Sequence, residues 1–374
     1  MEFIVSSSAL LSHLQAISRV INPKNTIPIL DCFLLELADD VLTITAADSE
    51  TRLETKLNVS ELTQPGSLAI NAKNLLEPLR ELSDQPLRIN INTETLEVYI
   101  YYHNGKYNFV GQKSDEFPIP RALKDSAMSL VLPTEVLFNG INRTIYATAE
   151  DELRPVMNGI YFDITDENIT FVASDGHKLV RIINSSVKGD GRASFILPKK
   201  ASMLLRSLLP KETGEVEIKF DENNAFIKMS NTLLICRFVE GRFPNYNSVI
   251  PQNNPNNVTL DRLDFLNALK RVNVFSNPAS SLVKLEMSED KIVVSAQDID
   301  FLTSAEEVIP CQYNGSVMNI GFKAVFLIDI LNNIPSSDVT LELSDPSRAG
   351  IVIPVENEEN EDMLSLLMPM MLND

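Results

Sequence analysis

The chain carries one structural pattern three times, and this internal repetition restricts the fold more than any other feature of its 374 residues. In each repeat a hydrophobic strand ends in small residues followed by aspartate, at Asp48, Asp175 and Asp298. The aspartates are 127 and 123 positions apart. An Ile-x-x-Lys segment that opens a predicted helix then ends at Lys73, Lys199 and Lys323, which are 25, 24 and 25 residues after the aspartates. Repetition at a nearly fixed spacing predicts three equivalent structural modules.

An amphipathic helix is predicted at the start of each repeat, because apolar residues recur there at three- or four-residue spacing. The stripes are Leu10, Leu14, Ile17 and Ile21; then Leu137, Ile141 and Ile145; then Phe265, Leu269 and Val272. The serines at 6–8, Pro133 with Thr134, and Asp261 are suitable N-terminal caps.

Between the helices the hydrophobic pattern changes to period two, which is typical of half-buried strands. The segments are LTIT at 42–45, ITFV at 169–172 and IVVS at 292–295, each after a polar turn. Each repeat is therefore predicted as an α+β domain with two helices packed on one side of antiparallel sheet. Segments rich in Pro or Asn near 118–120 and 251–255 predict domains at 1–120, 121–251 and 252–374. Three equal domains suggest an arc that closes by oligomerisation.

The net charge of −19 argues against a duplex DNA binder, because such proteins neutralise phosphates with cations. The distribution of charge answers this objection, since acidic residues concentrate in turns, strands and the 356–362 segment. The predicted helices instead carry cations on their polar sides, and these predict one positive and one negative surface. They are Arg19, Lys24, Lys73, Arg80, Arg143, Lys199, Lys200, Arg206, Arg262, Lys270, Arg271 and Lys323.

Composition indicates a cytoplasmic protein. No apolar run approaches the ~18 residues that span a bilayer. The first residues, MEFIVSSSALLSHLQ, lack the basic segment of a signal peptide. Cys32, Cys236 and Cys311 are odd in number and far apart, which argues against a disulfide framework and a zinc site.

Two clusters of reactive residues are predicted to be structural turns. The segment SDGH at 174–177 holds the groups of a hydrolase, but neighbours on a tight turn rarely converge as a nucleophile and base must. Asp298 and Asp300 could hold a divalent cation, yet no third carboxylate has a fitting spacing. The motifs GxxxxGK[ST], GxGxxG, HExxH and paired CxxC do not occur. We therefore expect no enzyme activity, no catalytic residue, no cofactor and no metal.

Four motifs resemble those of the bacterial DNA polymerase III β subunit, the DNA sliding clamp, over essentially the whole chain. They are TIPIL at 26–30, VASDGHKL at 172–179, EGRFPNY at 240–246 and LMPMML at 367–372. The resemblance implies three tandem α+β domains of the DNA-clamp type in a head-to-tail dimeric ring, with helices lining the hole and sheets outside. It implies a non-catalytic processivity factor that encircles duplex DNA. Its other partners would be replicative and repair polymerases, further proteins with a clamp-binding motif, and a clamp loader.

The resemblance also implies a DNA-facing surface and a dimer interface. A ring holds DNA by topology, so a weak basic lining that reads no bases suffices. The DNA-facing residues would be Lys24, Lys73, Arg80, Arg154, Lys199, Lys200, Arg206 and Lys323. The interface would set Lys106, Tyr107 and Phe109 against Val274 and Phe275, with Asp298, Asp300, Glu306 and Glu307 as its acidic side. Beside Arg154, the residues Asp151, Pro155 and Val156 depart from the polar and aromatic residues that are usual in the family's DNA-touching loop.

Family clients dock a short apolar peptide, often with a Gln, in a groove between the second and third domains. A few buried anchors in a preformed pocket can hold such a peptide, and methionines adapt to many clients. The matching residues are Met157, Ser174, Gly176, His177, Lys178, Leu179, Pro244, Ser248, Val249, Leu366, Met368, Pro369, Met370, Met371 and Leu372. Ser248 and Met371 stand where the family often has arginine, which predicts a less basic pocket.

Two alternatives remain open on the sequence. A multi-repeat scaffold that binds only proteins and does not encircle DNA would show the same repetition. The second alternative is a hydrolase built around His177. Loading on circular DNA separates a clamp from a scaffold, because a clamp falls off once the circle is linearised.

Overall fold

A computed structural model describes residues 1–61, 64–313 and 315–372, and within them each repeat has eight strands and two helices in one order. The first repeat contains β1 (Glu2–Ser6), α1 (Ser7–Ser18), β2 (Cys32–Ala38), β3 (Val41–Ala47), β4 (Thr51–Asn58), β5 (Gly66–Asn71), α2 (Ala72–Arg80), β6 (Pro86–Ile91), β7 (Glu97–Tyr102) and β8 (Gly105–Val110). The second contains β9 (Met128–Pro133), α3 (Thr134–Asn142), β10 (Gly159–Ile164), β11 (Ile169–Ser174), β12 (Lys178–Asn184), β13 (Ala193–Pro198), α4 (Lys199–Leu208), β14 (Glu215–Phe220), β15 (Asn224–Lys228) and β16 (Thr232–Arg237). The third contains β17 (Asn256–Asp261), α5 (Arg262–Asn273), β18 (Leu282–Ser288), β19 (Lys291–Asp298), β20 (Thr303–Pro310), β21 (Met318–Lys323), α6 (Ala324–Asn333), β22 (Asp338–Leu343), β23 (Gly350–Pro354) and β24 (Glu361–Leu367).

The prediction that each repeat starts with a helix is wrong, because the strands β1, β9 and β17 come first. Each of these strands has only five or six residues with two buried side chains, so its period-two pattern is short. The helices themselves are confirmed. Leu10, Leu14 and Ile17 are fully buried in α1, whereas Ile21 lies beyond its end. No helix in the described ranges is long and apolar enough to cross a membrane.

The repeated aspartates confirm the three equivalent turns. Asp48 Oδ1 accepts the backbone N–H groups of Glu50 and Thr51 at 2.8 and 2.7 Å. Asp175 and Asp298 accept the N–H groups two and three residues later in the same way. The distances are 2.8 and 2.9 Å for Asp175 and 3.0 and 3.3 Å for Asp298. An aspartate that bonds its own backbone in this way stabilises a turn between two strands.

Successive repeats share their sheets. One compact unit comprises Met1–Glu135 and Met203–Phe238, and contains an eight-stranded sheet of order β5-β2-β3-β4-β16-β15-β14-β9. The other comprises Val136–Ser202 and Val239–Asp374, and contains the sheet β13-β10-β11-β12-β24-β23-β22-β17. Strands of different repeats therefore meet at two antiparallel joints, β4 with β16 and β12 with β24. The domain boundaries at 120/121 and 251/252 stay a prediction.

Each compact unit also holds one four-stranded sheet. The first unit has the order β1-β6-β7-β8, and the second has β20-β19-β18-β21. The strands β8 and β20 are therefore edge strands, with one row of backbone hydrogen-bonding groups left for another strand.

Candidate functional site

The SDGHK turn at 174–178 uses its reactive groups to hold itself together. Ser174 Oγ donates a hydrogen bond to the Lys178 carbonyl at 2.9 Å and accepts the Gly176 N–H at 3.1 Å. Asp175 Oδ1 accepts the backbone N–H of His177, and its other oxygen accepts a hydrogen bond from the Lys178 ammonium. The hydroxyl and carboxylate therefore bind backbone and Lys178 rather than the His177 ring, which agrees with a structural turn.

Lys178 places a buried charge beneath this turn. Its side chain is 6% exposed, and Nζ lies 2.7 Å from Asp175 Oδ2 and 4.0 Å from the centre of the Phe326 ring. Burial opposes ionisation of Asp175, but hydrogen bonds from Lys178 and the turn backbone hold its pKa below the usual value. Burial raises the pKa of Asp329 on α6, and Lys178 opposes that rise. The ammonium thus ties the turn to helix α6 through the Phe326 ring and through electrostatic attraction to Asp329.

The C-terminal segment after β24 is fixed beside the turn at two points. The Met368 N–H donates to the His177 carbonyl at 2.9 Å, and the Met370 N–H donates to the Gly321 carbonyl at 2.8 Å. The His177 ring stacks near Phe326, with 6.2 Å between the ring centres. Met368 and Met371 remain 43% and 80% exposed, so this anchored segment presents flexible apolar side chains to solvent. Pro369, Met370 and Leu372 are half-buried along it.

An apolar cluster joins the turn, β24 and the 243–250 segment. Leu179 and Leu366 are buried there together with Phe243, Tyr246 and Ile250. The Phe243 ring stacks on Tyr161 at 4.8 Å, and the Tyr246 hydroxyl donates to Asp163 at 3.0 Å. Pro244, Ser248 and Val249 are among the exposed residues of this segment, and half-buried Met157 lies just before β10. The buried members therefore position the exposed ones.

Arg154 lies against the same turn. Gly176 has a φ of +88°, and a Cβ added to it would meet Arg154 Nη1 at 2.7 Å. Arg154 Nε also donates to Asp151 Oδ2 at 2.8 Å. This residue, expected to face DNA, is therefore a neighbour of the 174–178 turn.

The other cations expected to face DNA differ in their surroundings. Lys199 forms an ion pair with Glu150 at 2.7 Å, and the Lys323 ammonium lies 5.1 Å from the Phe326 ring centre. Lys73 and Arg80 are exposed on α2, where Glu77 lies between them. Lys24 and Arg206 are exposed, and Lys200 is half-buried.

Three cations assigned to the polar sides of helices bind within the chain instead, which corrects the expected positive surface. Arg143 is 11% exposed and pairs with Glu358 and Glu361, both at 2.7 Å. Arg262 donates to the carbonyls of Leu331 and Ser336, near the end of α6, and Arg271 pairs with Glu307. Sequence periodicity cannot distinguish a solvated cation from one that is paired, whether below the surface as Arg143 is or on it as Arg271 is.

The residues expected at a dimer interface lie at the edge strands and at the end of α5. Lys106 is exposed on β8, with Tyr107 and Phe109 half-buried. Val274 and Phe275, just after α5, are 78% and 41% exposed. Asp300 and Glu306 are exposed, and Glu307 accepts from Arg271 at 2.6 Å. Asp298 is buried and caps its own turn, so its carboxylate is not part of an exposed acidic surface.

Sequence reasoning missed two residues beside the 174–178 turn, Phe326 and Asp329. The sequence pattern indicates them only weakly, because Phe326 looks like one more apolar position of helix α6. The spacing of Lys323 and Phe326, three residues apart, could have indicated that the ammonium reaches the ring. Among the described residues, no three His, Cys, Asp or Glu side chains are grouped as a metal site would require.

Models of known protein families match nearly the whole chain. The DNA polymerase III beta subunit N-terminal, central and C-terminal domain models match residues 1–121, 131–245 and 247–371. The beta sliding clamp of Haemophilus influenzae is 28% identical over 374 residues, with 100% of both chains covered. That of Bacillus subtilis is 23% identical over 380 residues, with 99% of both covered.

Solved structures agree with these matches. The DnaN sliding clamp of Pseudomonas aeruginosa, crystallised with griselimycin, has a TM-score of 0.94 and is 25% identical over 100% of both chains. The DnaN clamp of Bartonella birtlesii, also bound to griselimycin, has a TM-score of 0.93 at 25% identity and 100% coverage of both chains. The chain has three tandem clamp domains and belongs to the DNA polymerase III beta subunit family, the bacterial DNA sliding clamps.

Proposed function

We propose that two copies of this chain close head to tail into a ring around duplex DNA, and that the ring keeps a DNA polymerase on its template in the cytoplasm. The observation that carries this proposal is the pair of edge strands β8 and β20. Inside the chain, two joints pair the fourth strand of one repeat with the last strand of the next. A second copy can add a joint of the same kind, because β20 is a fourth strand and β8 is a last strand. A head-to-tail contact used twice closes a dimer.

The DNA contact is proposed to be weak and independent of sequence. Exposed Lys73, Arg80, Arg206 and Lys24 supply cations, whereas Lys199 and Arg154 are partly neutralised by Glu150 and Asp151. A net charge of −19 favours loose phosphate contacts over tight binding. Loose contacts suit a ring that must slide.

Client proteins are proposed to dock a short apolar peptide on the surface formed by Met368, Met371 and Val249 beside His177. Its base is rigid, because Lys178, Asp175 and Phe326 lock the turn beneath it. The side chains of Met368 and Met371 make the surface adaptable, because methionines repack around different partners. Polymerases, other clamp-binding proteins and an ATP-driven loader are the expected partners. A holding function of this kind needs no catalytic group, and we propose that the chain is not an enzyme.

A loading assay on circular DNA tests the ring. Labelled protein is loaded onto a nicked plasmid with ATP and a clamp loader, and bound protein is separated by gel filtration. We expect the protein to stay on the circle and to leave when a restriction enzyme linearises it. Retention on linear DNA would overturn the proposal and support a scaffold that does not encircle DNA.

A truncation tests the docking surface. Deleting residues 368–374 should leave a folded dimer that no longer binds a polymerase-derived peptide. Removing only residues 373 and 374, which lie outside the described residues, is the matched control. Wild-type peptide affinity in the longer deletion would place the surface elsewhere.

A further inference from the structure

The two joints between repeats have the same backbone arrangement. At the second joint, where β12 pairs with β24, the Met368 N–H donates to the His177 carbonyl at 2.9 Å, beside the proposed docking surface. At the first joint, where β4 pairs with β16, the Arg237 N–H donates to the Glu50 carbonyl at 2.9 Å. Each bond joins the aspartate turn of one repeat to the end of the last strand of the next. The backbone of the docking surface therefore has a counterpart at the first joint.

Each joint also has a buried phenylalanine that is followed by an exposed proline. Phe117 is buried in an apolar cluster of the first repeat, and Phe243 is buried in one of the second. A short turn that begins with proline packs in each cluster, Pro28–Asp31 in the first repeat and Pro155–Met157 in the second. The apolar base of the docking surface therefore has a counterpart as well.

The two joints differ at the second residue of the fourth strand, which is Arg52 in β4 and Leu179 in β12. Arg52 lies opposite Ile235, and Leu179 lies opposite Leu366. Leu179 and Leu366 are buried together, so the apolar cluster of the second joint runs from one repeat into the next. Among the described residues, the buried members of the first cluster all come from the first repeat. A charged side chain thus stands where the second joint continues its apolar base.

Four contacts hold the Arg52 guanidinium over the apolar base of the first joint. Nη1 donates to the Pro118 carbonyl at 2.9 Å, and Nε donates to Glu54 Oε1 at 2.6 Å. Nη2 lies 3.5 Å from Thr45 Oγ1, and Cζ lies 5.7 Å from the centre of the Phe117 ring. The side chain is only 13% exposed. Arg52 therefore covers the phenylalanine and ties down the proline that follows it.

We propose that the first joint is a closed counterpart of the docking surface and that Arg52 closes it, so that each chain docks one client peptide rather than two. This inference rests on the proposed docking surface and identifies the residue that restricts docking to the second joint. An apolar side chain that docked at the first joint would remove water from the guanidinium or displace it from Pro118 and Glu54. Burying a cation without its partners is costly, and Leu179 imposes no such cost.

Exposed apolar residues lie around the closed position. Ile119, directly after Pro118, is 88% exposed, and Ile27, directly before the Pro28–Asp31 turn, is 50% exposed. Apolar residues that share an exposed region suit an interaction site. The first joint therefore has apolar residues that favour docking and one buried cation that opposes it.

Giving the first joint the side chains of the second tests the role of Arg52 in the full-length protein. Thr45 precedes its aspartate by three residues, as Val172 does, so Thr45→Val with Arg52→Leu copies the second joint. The number of polymerase-derived peptides bound per chain is measured by isothermal titration calorimetry. Peptide is added to about 1 mM, which half fills even a site with a millimolar dissociation constant.

We expect one peptide per wild-type chain and two per chain of the double variant, with the added site the weaker one. Arg52→Lys keeps a cation at this position and is the matched control, with one peptide expected. One peptide per chain in a double variant that unfolds cooperatively in urea would overturn closure by Arg52 and leave the docking surface intact. No binding by the wild type would overturn the docking surface itself.

The reciprocal change tests the same idea without depending on the first joint. Leu179→Arg places a guanidinium beside Phe243 and Pro244, the counterparts of Phe117 and Pro118. It should weaken peptide binding by about tenfold or more, because the docked side chain would then have to displace a cation. Leu179→Met conserves volume and apolar character and should bind nearly as the wild type does. Equal peptide affinities of the two folded variants would show that an arginine at this position does not close a docking surface.

Discussion

The Lys178 ammonium lies 4.0 Å from the centre of the Phe326 ring, in a place that leaves the side chain almost no contact with water. This relationship connects the turn after β11 with helix α6. A cation that is buried against a ring and a carboxylate is costly to move, because motion would leave a charge without a partner. The proposed docking surface is thus held in shape before any peptide arrives.

Replacing Phe326 with Ala should weaken the binding of a polymerase-derived peptide by about tenfold, because both Lys178 and the His177 ring lose their support. Fluorescence anisotropy with a labelled peptide measures the change. Phe326→Tyr keeps the ring and should bind nearly as the wild type does. Equal affinities for all three proteins would mean that the ring does not support the surface.

Asp175→Asn should lower the free energy of unfolding by about 3 kcal/mol near neutral pH, because it leaves the buried Lys178 unpaired. The pKa of Asp175 is lowered in the folded chain. Its carboxylate therefore stabilises the fold fully above the unfolded value of about 4, and this contribution is lost as pH falls through the folded value. Urea denaturation from pH 7 to pH 3 should show a constant difference between wild type and variant that shrinks below about pH 4. A difference that stays the same throughout this range would contradict the assignment.

Arg143→Met should destabilise the chain by about 3 kcal/mol, because it leaves Glu361 buried without its cation. Burial raises the pKa of Glu361, and Arg143 opposes the rise. Arg348→Met, which breaks an exposed pair with Asp345, is the matched control and should have no measurable effect. Urea denaturation at pH 7 compares the two. Similar stability of both variants would show that the buried pair contributes little.

Lys73→Ala combined with Arg80→Ala should weaken duplex DNA binding at every sequence and flatten its salt dependence. Each lost phosphate contact reduces the slope of log affinity against log salt by about 0.9. Lys284→Ala on β18 removes a cation paired with Glu286 and serves as the control. DNA affinity measured across a salt series should therefore separate the two. A slope equal to that of the wild type in the double variant would remove α2 from the DNA-facing surface.

Much of the fold could be predicted because each repeat carries the same short sequence patterns. The aspartate turns and the two helices of each repeat follow from short patterns. The structure confirms the turns at Asp48, Asp175 and Asp298. The sharing of sheets between repeats could not be predicted, since β4 and β16 are far apart in the chain and nothing local in either strand indicates its partner. Strand pairing of that range depends on tertiary packing rather than on local sequence.

The candidate site could also be predicted only in part. The turn at 174–178 and the segment after β24 could be identified from their motifs, and the structure places them together through the bond from Met368 to His177. The partners of buried charges could not be identified, because nothing local in the sequence indicates that Arg143 reaches Glu361 or that Lys178 reaches Phe326. Such pairs depend on which side chains lose water in the finished fold.

The shared sheets also determine what a fragment of this chain can do. A piece cut at residue 120 would keep β4 but lose β16, and the remainder would expose β16 in turn. Both pieces would then have a bare, partly apolar edge that pairs readily with any available strand, including another fragment. Proteolysis between repeats should therefore yield self-associating, poorly soluble pieces rather than three independent domains.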